Sequence, residues 1–130
     1  MNVKLLGVAF AAGALAVALG AFGAHALKEL LDAQQLQTYQ TAVQYHFYHV
    51  IALAITGIMP VQVPGKWLRY AGSFFIAGIL LFSGSLYAMS FLKAAGVEGV
   101  NWLGAVTPLG GVGFIAGWLC LLMAVINFRK

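Results

Sequence analysis

Residues 23–54 read GAHALKELLDAQQLQTYQTAVQYHFYHVIALA, and they contain every histidine of the chain. The last two, His46 and His49, run with Tyr45 and Tyr48 directly into an apolar stretch. How these residues are read decides the fold. In a soluble protein they would be a half-buried helix. The rest of the chain excludes that setting: 62% of its 130 residues are hydrophobic and 8% are charged, with a mean hydropathy of +0.93. A soluble domain carries roughly 25% charged residues. A surface so poor in charge suits a bilayer, so the stretch is read as the entry of a membrane helix.

Working outward, four apolar segments stand out, over about 5–26, 41–59, 70–91 and 108–128. A span needs roughly 20 mostly apolar residues. Without water in the hydrocarbon, each must satisfy its own backbone as an α-helix. The expected fold is all-α, a single transmembrane domain built as a four-helix up-and-down bundle. Leu27–Gln40 reads as an amphipathic turn at the interface. Pro60–Arg69 (PVQVPGKWLR) reads as a tight loop anchored by Trp67. Lys93–Val106 reads as a Gly-rich connection, with Thr107 as N-cap and Pro108 at the first helical position. Lys4, the first apolar run and Ala24-His25-Ala26 imitate a signal peptide, but the run is longer than a signal's apolar region. We read it as a retained span.

Orientation follows from the seven basic residues. Lys4, Lys66, Arg69, Arg129 and Lys130 share one side, and only Lys28 and Lys93 lie on the other. The positive-inside rule places both termini in the cytoplasm. The net charge of +4 forms no basic stripe and accompanies no nucleic-acid motif. The lone Cys120 excludes an intrachain disulfide.

This topology gathers polar residues into one leaflet: His25 from the first helix, Thr41, Tyr45 and His49 from the second, Ser83 and Tyr87 from the third, Thr107 from the fourth. At about 100° per residue, Thr41, Tyr45 and His49 share a face of the second helix, while His46 falls at its edge. These seven residues form the candidate polar site, with His49 expected to bond to the first or third helix and His46 to point away. Small residues form two further stripes expected to serve helix packing: Gly7, Ala11, Ala14 and Ala18 in the first helix, and Gly110, Gly113 and Gly117 in the fourth.

Four motifs, GAFGAH (Gly20–His25), TAVQYHFYH (Thr41–His49), FSGSLY (Phe82–Tyr87) and VTPLGGVGFIAGW (Val106–Trp118), resemble the YgdD/YwdK-like family. These are small bacterial inner-membrane proteins of four spans, a domain-of-unknown-function family with a eukaryotic TMEM-type relative. Thr41, Tyr45 and His49 match the family pattern best, and His46 departs from it. The resemblance implies topology and membrane location, and no established reaction.

Polar groups of this kind are expected to lock helix ends by hydrogen bonds. A metal site built on His25 and His49 lacks a third ligand at the same depth. A pore lacks polar groups through the inner halves, where Thr56 and Cys120 stand nearly alone. Ser83, Ser85 and His49 lack a carboxylate to orient a base, and TPLGGVG lacks the Lys of a phosphate loop. The expected role is non-enzymatic and needs no cofactor: membrane organisation or integrity through packing, lipid contact or partner binding, with self-association. The alternative is a ligand- or metal-binding protein or transporter component using the outer-leaflet site. Cysteine labelling should find Pro64 and Lys130 accessible from the cytoplasm and Gln35 and Gly99 from outside. Labelling of Gln35→Cys from the cytoplasm alone reverses the orientation.

Overall fold

The computed structural model describes residues 1–59, 63 and 65–129, and these are helical without strands. Helix α1 (Val3–His25) opens on Asn2, whose side-chain oxygen accepts from the Leu5 N–H at 3.1 Å. After a short 3-10 turn, Leu27–Glu29, α2 (Ala33–Ile58) opens on a capping box. The Asp32 carboxylate accepts from the Gln35 N–H at 2.8 Å, and the Gln35 side chain returns an acceptor to the Asp32 N–H at 3.1 Å. These caps satisfy donors that a helix cannot pair internally. Their consequence is that α2 begins eight residues ahead of Thr41, where the span was expected to start. The expected interfacial turn is therefore divided. Leu27 and Leu31 fold under it, buried with Tyr39, Leu86 and Tyr87.

The third rod is continuous from Gly65 to Ala94: α3 (Gly65–Gly78), one π-helical turn (Ile79–Ser83) and α4 (Gly84–Ala94). Within the turn, the Gly84 N–H reaches back to the Ile79 carbonyl. Four residues of the loop expected over Pro60–Arg69, at 60–62 and 64, lie outside the described residues. From Gly65 onward the expectation is corrected, since Gly65–Arg69 is already helical. Trp67 packs against the core rather than standing free, with the Lys66 ammonium 5.4 Å above its ring. Beyond α4, Gly96 and Gly99 take φ of +78° and +73°, a conformation that side chains disfavour. A 3-10 turn, Asn101–Ala105, then leads into α5 (Thr107–Ile126). Thr107 is not the N-cap that its place before Pro108 suggested. It lies inside α5, and its hydroxyl bonds elsewhere.

Three rods, Val3–Glu29, Gly65–Ala94 and Asn101–Ile126, are long and apolar enough to cross a membrane. α2 is as long but more polar, and it packs against both α1 and the third rod. Gly57 meets Leu6, Val50 meets Gly13, Val43 meets Gly20, and Tyr39 meets Gly23, so α1 and α2 run antiparallel along their length. α5 runs antiparallel to the third rod, with Gly117 against Phe75, Gly113 against Gly78 and Gly110 against Phe82. Antiparallel packing also joins α2 to the third rod, His49 lying near Phe75 and Tyr39 near Tyr87.

Small residues set these close approaches, as they do where helices meet in lipid. Gly110, Gly113 and Gly117 lie on the face of α5 packed against the third rod, and a Cβ on Gly110 would overlap the Phe82 backbone. For α1 the expected stripe is corrected. Gly7, Ala11, Ala14 and Ala18 are exposed. The packed face is Ala9, Gly13, Ala16, Gly20 and Gly23, on the opposite side of the helix and equally rich in small residues. The contrast is testable. Gly110→Ala should lower stability by about 1–3 kcal/mol, because backbone rather than a flexible side chain must move. Gly7→Ala, whose Cβ meets nothing within 4 Å, should leave it unchanged or raise it by up to about 1 kcal/mol, alanine being the better helix former. Denaturant unfolding in detergent checks both.

Candidate functional site

The polar side chains of the interior meet where the third rod passes α2, around the π turn. Ser83, fully buried, donates from its hydroxyl to the Ala42 carbonyl of α2 at 2.8 Å. The Ser85 hydroxyl donates to the Phe82 carbonyl at 2.9 Å. Its only hydrogen is thereby used, so the Thr107 hydroxyl must donate to the Ser85 oxygen, 2.8 Å away. Tyr39 donates its hydroxyl to the Leu19 carbonyl of α1. Each bond joins two rods or closes a turn within one.

His49 is 5% exposed and lies flat on Phe114, ring centroids 3.4 Å apart and planes 5° from parallel. Its Nδ1 is 2.7 Å from the Tyr45 carbonyl, which can only accept, so Nδ1 carries the proton. Nε2 is then the acceptor, and the Trp118 indole N–H donates to it at 3.3 Å. Both nitrogens of a neutral imidazole are thereby used. His49 does bond to another rod, but to α5 rather than to the first or third helix. Trp118 was not among the candidate site residues read from the sequence. Its signal was available in the register, since Phe114, Gly117 and Trp118 share one face of α5 with Gly110 and Gly113.

His46 corrects the sequence reading most. It is 2% exposed, so it points inward rather than away, and its Nδ1 lies 3.1 Å from the Tyr87 hydroxyl. Nε2 is buried without a hydrogen-bond partner. His25 corrects it in the other direction. It is exposed at the end of α1, whereas His49 lies near the level of Gly13, which touches the neighbouring Val50. Twelve residues of helix separate those levels, about 18 Å. His25 and His49 do not approach, and no group of three or more potential metal-ligating residues occurs among the described residues. The two-histidine metal site is withdrawn.

The remaining members of the expected cluster are placed as follows. Tyr45 is half-exposed and stacks on Phe82 with centroids 4.5 Å apart. Thr41 bonds its own helix, its hydroxyl donating to the Gln37 carbonyl at 3.1 Å. Tyr87 turns to His46 instead of Thr107, which Ser85 meets. Ser83, Tyr87 and His46 thus belong to one layer, Thr107 joins through Ser85, and Thr41 and His25 stand apart. His46 and His49 both sit along the middle stretch of the rods. His46 falls between the levels of Gly13 and Gly20, near the middle of α1 rather than at its outer end.

Apart from His46 Nε2, this is a set of paired neutral groups, in which hydroxyls and ring nitrogens bond carbonyls and one another. Thr56 fits the same pattern, donating to the Ala52 carbonyl at 2.8 Å. Interhelical bonds of this kind contribute about 1 kcal/mol or less each. A double-mutant cycle of Tyr87→Phe and His46→Phe, read by unfolding in detergent, should return a coupling energy of about 1 kcal/mol. Strict additivity of the two substitutions would mean that the 3.1 Å contact carries no energy.

Residues 19–111 match the family described as "Protein of unknown function (DUF423)". The chain is 43% identical to the UPF0382 membrane protein YwdK of Bacillus subtilis, over 88% of this chain and 89% of that one. It is 38% identical to a UPF0382 membrane protein of Haemophilus influenzae, covering 93% of this chain and 92% of the relative. It is 36% identical to the UPF0382 inner membrane protein YgdD of Escherichia coli K12, over 91% and 86% of the two chains. No solved structure matches it.

Proposed function

This chain belongs to the DUF423 family and is an integral membrane protein, and from that premise we propose that it is a non-enzymatic, self-associating component that supports the organisation of the cytoplasmic membrane. All four rods cross the bilayer in this reading, α2 included, as an up-and-down bundle with both termini in the cytoplasm. α2 crosses because it lies antiparallel to α1 along its length. Its 26 residues reach about 39 Å, more than the roughly 30 Å of the hydrocarbon core. The relative named an inner membrane protein supports the choice of membrane. The charge asymmetry supports the orientation. Arg69 lines a cavity with Met1 and Asn2 at one end, and Lys93 and Glu98 line another with Gln35.

The observation that carries the non-enzymatic reading is the pairing of the interior. His49 has no nitrogen to spare, Ser83 is spent on a carbonyl, and the Ser85 and Thr107 hydroxyls bond each other. A nucleophile and base poised for chemistry would be aimed at a vacant reacting position. These groups are aimed at one another.

Self-association is supported by one face of α2. Gln37, Gln40, Gln44, Tyr48 and Ile51 are exposed along a single stripe, and Tyr48 is 56% exposed near the middle of the rod. Amide and phenol groups facing hydrocarbon cost free energy unless they are bonded. A second copy presenting the same stripe across a two-fold axis brings amides to amides and phenols to phenols. Beside the stripe, an aromatic groove of about 660 Å³ between α2 and α5, lined by Tyr45, Tyr48 and Trp118, gives lipid chains or the partner helix a seat. Gln44→Cys in native membranes should cross-link copies through a disulfide, while Leu80→Cys on the third rod should not. Mass measurement in nanodiscs should find an oligomer that Gln44→Leu weakens. Monomers alone in nanodiscs and several detergents refute self-association.

A further inference from the structure

Two cavities lie along the groove between α1 and the third rod. One, of about 470 Å³, opens at the end where both rods begin, and Asn2, Leu5, Leu68 and Arg69 line it. The other, of about 220 Å³, lies further along, with Val8, Leu15, Ile76 and Leu80 in a mostly aliphatic wall. At about 100° per residue, Ile76 and Leu80 fall within about 20° of Arg69 on the third rod. On α1, Leu5, Val8 and Ala12 share one face by the same periodicity. The cavities are therefore two stations of one groove. Leu15 and Leu80, 54% and 67% exposed, open the second station toward lipid.

Depth assigns the stations to different parts of a lipid. Asn2 is twelve residues from Ala14, the midpoint of α1, which is about 18 Å along the helix. With α1 centred in the bilayer, that lies beyond the roughly 15 Å half-thickness of the hydrocarbon. Trp67 and Tyr70, their ring centroids 6.3 Å apart, mark the same boundary on the third rod, as aromatic residues do at membrane interfaces. The first cavity sits among headgroups. Ile76 and Leu80 come seven and eleven residues after Arg69, about 10–16 Å deeper. The second cavity sits among acyl chains.

Charge selects the headgroup. Lys4, Lys66 and Arg69 occupy this end, whereas all three acidic residues, Glu29, Asp32 and Glu98, belong to the other. An exposed guanidinium with no acidic side chain at its end suits a phosphate, whose oxygens match its paired N–H groups. Asn2 adds donors. Its side-chain oxygen accepts from the Leu5 N–H, which leaves the amide N–H groups to give. A free phosphate would use the first cavity alone, while a phospholipid uses both. We propose that this groove holds one anionic glycerophospholipid, its phosphodiester on Arg69 and Asn2 and one acyl chain in the aliphatic cavity. The site needs only that the chain spans the bilayer; neither self-association nor the assigned orientation enters it.

The test is lipid titration of the full chain in mild detergent, read by native mass spectrometry. Its probes are dioleoyl phosphatidylglycerol, dioleoyl phosphatidylcholine and glycerol 3-phosphate. The wild-type protein should retain one phosphatidylglycerol per chain, about tenfold tighter than phosphatidylcholine, whose choline cation meets the same positive end. That factor is what one charge-assisted bond contributes. Glycerol 3-phosphate, a head without chains, should not displace the lipid. Arg69→Gln should erase the preference for phosphatidylglycerol, and Lys66→Gln should leave it. Ala12→Leu, which fills the aliphatic cavity, should weaken both lipids and keep their ratio. Equal wild-type affinity for the two lipids, binding that does not saturate at one per chain, or displacement by glycerol 3-phosphate overturns the proposal. So does an equal loss in Arg69→Gln and Lys66→Gln, the mark of diffuse surface charge. The comparison of probes on the wild-type chain decides the matter even where a variant fails to fold.

Discussion

The bond from the Ser83 hydroxyl to the Ala42 carbonyl expresses the constraint that governs this molecule. Where no water reaches, every polar atom must find its partner within the protein. A serine placed deep in an apolar rod has to bond a helix, and here it reaches across to α2. Around that crossing the other polar groups sort themselves: His46 with Tyr87, Ser85 with Thr107, and His49 with Trp118. Apolar clusters lie on either side, one built on Phe75, Phe114 and Leu53, the other on Leu27, Tyr39 and Leu86. Lipid is as apolar as these clusters, so burial alone drives them together weakly. Shape and hydrogen bonding supply the rest.

Shape is supplied by glycine facing aromatic rings. Gly23 seats Tyr39, Gly78 seats Phe114 and Gly117 seats Phe75. Each pair lets a large flat surface lie against bare backbone, so the rods approach more closely than side chains on both partners would permit. The third rod and α5 are the most thoroughly fitted in this way, and their contact carries His49 along, because Phe114 both packs on Gly78 and stacks under the imidazole.

Much of this was legible in the sequence, and the parts that were not have a common cause. Length and hydropathy mark the apolar rods at 3–29, 65–94 and 101–126, close to the segments read from composition. The motifs name the correct family. The side-chain geometry was read less well because helical phase assumes one buried face. α2 is buried on more than one side, against α1 as well as the third rod and α5, so His46 and His49 are both interior although they diverge by about 60°. In α1 the same reasoning met two small-residue stripes on opposite faces and selected the exposed one. The second helix was expected to start at Thr41. The Asp32–Gln35 capping box, visible as D-x-x-Q, starts α2 two turns earlier and carries both histidines toward the middle of the rod.

The π turn has a consequence for the lineage of this chain as well as its shape. A π turn is an α-helix with one residue inserted. The widened turn absorbs that extra residue, so the helix beyond it keeps the facing it would have without it, with Tyr87 toward His46 and Ser85 toward Thr107. Losing one residue from Ile79–Ser83 would let the third rod close into regular α-helix with those facings kept. A residue lost from the regular helix between the turn and Tyr87 would instead rotate everything beyond it by about 100°. This turn is therefore the place along the rod where a change of one residue in length does least harm, and homologous chains shorter by one in this rod should have their gap here.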